Sequence, residues 1–84
     1  MDAKPAEGGI VVSLKGHDTG RLYYVASVIN QDFILLVDGR YRKIDNPKQK
    51  RIGHVRQLAA APLGQDGFTD PAVRALIKSY QNKR

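Results

Sequence analysis

The sequence predicts a mainly β domain: a small five-stranded barrel followed by a short C-terminal α-helix. Three observations predict it. Apolar residues alternate over short stretches bounded by glycine, aspartate and asparagine, which is the period of half-buried strands. Those stretches are closely spaced and joined by tight turns, and rolling them into a barrel removes the exposed edges that an open sheet leaves. Only beyond residue 69 does the period lengthen to that of an amphipathic helix.

The elements follow in chain order. Residues 1–8 carry no periodicity and include Pro5 and Gly8, so they read as a flexible leader to a barrel spanning 9–58. In Gly9–Leu14, Ile10, Val12 and Leu14 share one face and predict the first strand. Lys15 to Gly20 holds two glycines and an aspartate and marks a tight loop. Arg21–Ile29 is apolar on both faces and predicts a long, bent strand buried in part on each side. After the turn at Asn30-Gln31-Asp32, the run Phe33-Ile34-Leu35-Leu36-Val37 fits a buried strand. Asp38-Gly39 is a strong hairpin signal, because a type I′ turn needs positive φ at both central residues. The returning strand is then expected at Arg40–Ile44. Asn46-Pro47 would break it, leaving Lys48-Gln49-Lys50-Arg51 as a basic loop before a short fifth strand at His54–Leu58.

Residues 59–68 read as a linker of small residues and glycine, and 69–84 as the helix with a basic tail. Asp70 is the expected N-cap, with Pro71 at the first helical position. Val73, Leu76, Ile77 and Tyr80 then form one apolar stripe. A helix this short is unstable alone, and docking on its own barrel is the expectation.

A chain of 84 residues supports one domain with a small core. The absence of cysteine excludes disulfides and thiolate metal sites and suits a cytoplasmic setting. The longest apolar run is far short of the roughly 18–20 residues of a membrane span, and the polar N-terminus lacks the layout of a signal peptide. Charge is the most informative quantity. Arg40, Arg42, Lys43, Lys48, Lys50, Arg51 and Arg56 are opposed within 40–56 by Asp45 alone, a local +6 that equals the net charge of the whole chain. Such concentration points to a polyanionic partner.

The stretch Gly9-Ile10-Val11-Val12-Ser13-Leu14-Lys15-Gly16-His17-Asp18-Thr19-Gly20-Arg21-Leu22-Tyr23-Tyr24-Val25 resembles the KOW motif, a strand, glycine-containing loop and second strand shared by ribosomal proteins and transcription elongation factors. Leu35 to Ile44, followed by Asn46-Pro47-Lys48-Gln49-Lys50, extends the likeness to small single-domain KOW RNA-binding proteins of bacteria. The resemblance covers about residues 8–58. It implies an SH3-like barrel of five strands and RNA, ribosomal or otherwise structured, as partner. Tyr23-Tyr24 depart from the pattern, since many KOW sequences carry a small or basic residue there, and the helical tail lies outside the motif.

The RNA-binding candidates fall into groups. Gly16 and Gly20 let the first loop approach a phosphate closely, with Lys15, His17 and Arg21 flanking it. Arg40 and Arg42 would share a strand face beside Lys43, presenting two guanidiniums to one backbone. Lys48, Lys50 and Arg51 would grip phosphates from a loop without reading sequence, and Arg56 completes the cluster. Tyr41, alternating with the arginines, is expected in the core. Tyr23 is either a stacking platform or a core residue.

No nucleophile elbow, GKS or GKT phosphate loop or metal-ligand spacing occurs, so neither an enzyme nor a cofactor is expected. The rival reading is a protein-interaction module of SH3-like type that meets an acidic ribosomal or polymerase protein partner. Nonspecific DNA binding has the charge it needs but no base-reading helix. A monomer with no membrane partner is expected.

Overall fold

The computed structural model describes residues 5–60 and 68–82. Its strands are β1 (Ile10–Ser13), β2 (Leu22–Val28), β3 (Phe33–Val37), β4 (Lys48–Arg51) and β5 (Val55–Ala59), followed by helix α1 (Asp70–Asn82). All strand pairs are antiparallel, and they form one sheet in the order β4-β3-β2-β1-β5. The chain is thus mainly β with a single C-terminal helix among the described residues.

Alternation along the strands sorts the apolar side chains into two cores. Ile10, Val12, Leu22, Tyr24 and Val37 face α1, which covers them with Val73 and Ile77. Val11, Tyr23, Val25, Ile34, Leu36 and Val55 fill the opposite face. The stripe Val73/Ile77 therefore docks on the chain's own sheet, with Leu76 and Tyr80 half-buried beside it. In β2, apolar residues on both faces produce burial on both faces from Leu22 to Val25. The pairing with β3 then slips between Val25 and Ser27, a bulge that bends the strand.

The second core is enclosed because the sheet rolls. Strands β4 and β5 occupy opposite edges of the sheet, yet only the 3₁₀ turn Ile52–His54 joins them. In a flat sheet five strands would put those edges about 19 Å apart. Four residue steps from Arg51 to Val55 span at most about 15 Å fully extended, and less in a 3₁₀ turn. The roll is not completed by hydrogen bonds, since β4 pairs with β3 and β5 with β1. The ladder is open where the expected barrel would close.

One strand differs from expectation. Residues 40–44 form no strand, and the basic segment Lys48–Arg51, expected as a loop, is β4. Asp38 explains the change. Its Oδ1 accepts the backbone N–H groups of Arg40, Tyr41 and Arg42 at 2.8–2.9 Å. These bonds curl the segment and take donors that a ladder would need. Gly39 adopts φ 76° and lies against the first turn of α1, whose Asp70 carboxylate accepts the Ile44 N–H at 2.9 Å. The segment is thus packed under the helix. The N-cap also shifts by one residue: Thr69 Oγ1 accepts the Ala72 N–H at 3.3 Å, and Asp70 opens the helix.

The chain ahead of β1 is tied to the sheet from Ala6 onward, by Ala6 N–H to Gln57 Oε1 at 3.2 Å and Gly8 N–H to the Val25 carbonyl at 2.9 Å. Residues 1–4 of the expected leader, 61–67 of the expected linker and 83–84 of the basic tail lie outside the described residues. Among the described residues no helix is long and apolar enough to cross a membrane.

Candidate nucleic-acid interface

The glycine loop between β1 and β2 encloses an anion that belongs to the chain itself. Gly16 and Gly20 take φ of 92° and 88°, and the loop closes through Gly20 N–H to the Ser13 carbonyl at 2.8 Å and Thr19 Oγ1 to the Gly16 carbonyl at 2.7 Å. This turns Asp18 inward, leaving it 6% exposed. Its Oδ1 accepts bonds from Ser13 Oγ at 2.8 Å and Lys50 Nζ at 2.7 Å, and its Oδ2 from Tyr23 OH at 3.0 Å and Lys48 Nζ at 2.9 Å. Burial alone would raise the Asp18 pKa, but the bonds from Lys50, Lys48, Ser13 and Tyr23 hold it well below the ordinary carboxylate range. Tyr23 is pushed up to about 12 by burial, then by its bond to Asp18 and that carboxylate's charge.

One expectation changes here, and one open alternative is decided. Lys48 and Lys50 alternate on β4 and point inward, where they are committed to Asp18; Lys50 also donates to the Lys15 carbonyl at 2.8 Å. They are structural cations, not a loop that reaches outward. Tyr23 is 3% exposed and belongs to the core, not to a stacking surface.

The outward cations gather elsewhere. The guanidiniums of Arg21 and Arg40 lie 5.5 and 5.1 Å from the ring centroid of Tyr41. Tyr41 is 66% exposed, the reverse of its expected place in the core. The regular strand that would have turned it inward does not form. Arg40 and Arg42 likewise share no strand face: Arg40 is exposed beside Tyr41, whereas Arg42 is half-buried, with its carbonyl accepting the Asp38 and Gly39 N–H groups.

Beside Tyr41 lies an open groove of about 680 Å³ between the 38–42 segment and α1. Arg21, Arg40, Arg74 and Lys78 line it, and Asp38 is the sole carboxylate among its described lining residues, leaving a net +3. Arg74 is anchored by a 2.8 Å bond from its guanidinium to the Gly39 carbonyl. Leu22 and Ile77 supply an apolar floor. Sequence reasoning missed Arg74 and Lys78. Their i, i+4 spacing on the polar side of α1 was a legible signal, but only docking reveals which loop that side faces.

The other candidates are dispersed. Lys15, His17 and Lys43 are exposed on loops, Arg51 lies over the Phe33 ring at 5.1 Å, and Arg56 is exposed on β5. The 17-residue charge cluster is therefore divided by the fold into an internal ion group, an outward groove and scattered surface cations. No family model matches the chain, and no curated protein sequence matches it.

Proposed function

We propose that this protein binds structured RNA, gripping the phosphate backbone at the groove between the 38–42 segment and α1. The observation that carries the reading is the four-to-one excess of cations over carboxylates along that groove. The excess is larger in effect than the count, because Asp38 already accepts three backbone N–H groups through one oxygen. Arginine donors suit phosphate oxygens, and Arg74 is held in place before any ligand arrives. The KOW resemblance adds RNA of the translation machinery as the preferred class and a cytoplasmic setting.

Titration against a structured RNA at several salt concentrations tests this. Four to five phosphate contacts give a slope of log affinity against log salt of about −3 to −4. A flat response would refute phosphate binding. Tighter binding to poly-glutamate than to RNA would instead favour an acidic protein partner.

A further inference from the structure

We propose that the groove selects unpaired RNA, with a splayed-out base seated on Tyr41 and α1 forming one wall of the site. The inference rests on the RNA reading above but concerns which RNA is taken. Tyr41 presents 66% of its surface to solvent in a chain with only six aromatic residues. Its backbone is fixed, because the Tyr41 N–H and those of Arg40 and Arg42 converge on Asp38 Oδ1. An exposed ring on a restrained segment loses little freedom on binding.

The guanidiniums of Arg21 and Arg40 lie 5.5 and 5.1 Å from the centroid of that ring. Unpaired bases stack on aromatic rings and on guanidinium planes alike, and the same guanidiniums carry donors for the adjoining phosphates. The groove continues the pattern beyond Tyr41. Leu22 and Ile77 are apolar at its floor, while Arg74 and Lys78 stand on the helix wall. Apolar floor, aromatic face and cationic rim together match a nucleotide with its base exposed. A fully paired helix keeps its bases stacked inside and offers the site only backbone.

The test compares a hairpin bearing a single-stranded loop with a blunt RNA duplex carrying the same number of phosphates, both titrated with the full chain. The parent is expected to prefer the hairpin. Tyr41→Ala should weaken hairpin binding by about fivefold or more, the scale of one stacked base, and duplex binding by a clearly smaller factor. Tyr41→Phe should retain hairpin binding, and 2-aminopurine in the loop should be quenched by the parent and the Phe variant but not by the Ala variant. Equal binding of hairpin and duplex by the parent, or no loss with Tyr41→Ala, would overturn base stacking while leaving the backbone grip in place. If the parent binds neither RNA, the RNA reading itself fails and this inference falls with it.

Discussion

Lys50 Nζ lies 2.7 Å from Asp18 Oδ1, joining edge strand β4 to the loop between β1 and β2, 32 residues earlier in the chain. This ion pair and its neighbour Lys48–Asp18 tie β4 to a loop with which it shares no backbone ladder. Lysines on an edge strand ordinarily discourage pairing with other chains. Here they point inward and fasten a loop.

Replacing both Lys48 and Lys50 by Ala should therefore act on stability. It leaves the buried Asp18 carboxylate without cations, a loss of about 3 kcal/mol on the scale of broken buried pairs. Denaturant unfolding measures it. The salt slope of RNA binding should change by less than one, whereas Arg21→Ala with Arg40→Ala should flatten it by about 1.5. A reversed pattern would return the β4 lysines to the RNA surface.

The same cluster sets a pH profile. The folded-state pKa of Asp18 is depressed below the ordinary 3.8, so its stabilisation is present above that value and is lost as pH falls beneath it. The Tyr23 pKa is raised from 10.0 to about 12, so its contribution is complete below pH 10.0 and disappears as pH rises through about 12. That alkaline loss is on the order of 2 kcal/mol. Thermal unfolding across pH should show both limbs. Asp18→Asn should remove the acid limb and Tyr23→Phe should diminish the alkaline one.

Gly39 and Gly20 separate two roles of glycine. Both have positive φ, at 76° and 88°. A Cβ at Gly20 would meet nothing within 4 Å, whereas one at Gly39 would meet the Asp70 carbonyl oxygen and Arg74. Gly20→Ala should cost only the left-handed strain, about 1 kcal/mol. Gly39→Ala should cost about 2 kcal/mol or more, because the helix must also retreat. Equal losses in denaturant unfolding would mean that the approach of α1 to Gly39 contributes nothing.

Ile77 is 6% exposed under α1 and packs with Ile10, Val12 and Val37. Ile77→Ala should lower stability by about 2–5 kcal/mol. Deleting residues 69–84 should lower stability and also weaken RNA binding, since Arg74 and Lys78 leave with the helix. Unchanged RNA affinity in a truncation that remains folded would remove α1 from the interface.

The sequence by itself determined β1, β2, β3, β5 and α1, because each is marked by a local pattern of apolar residues and bounding turn residues that needs no knowledge of its partner. It also determined that α1 had an apolar stripe requiring cover, and that seven of the basic residues lay within 40–56. Tertiary structure decided where the fourth strand would form. Arg40–Ile44 and Lys48–Arg51 are both short, basic and capable of pairing with β3, and alternation alone does not distinguish them. The choice was made by the bonds of Asp38 to the Arg40, Tyr41 and Arg42 N–H groups together with distant contacts: Gly39 and Ile44 against Asp70, and Lys48 and Lys50 against Asp18. Moving the strand removed the alternation that would have buried Tyr41, leaving its ring exposed near the guanidiniums of Arg21 and Arg40. It also turned two lysines from the surface to the interior. A side chain's direction on a strand follows from register, and register is fixed only when the strand has paired and one of its faces is buried.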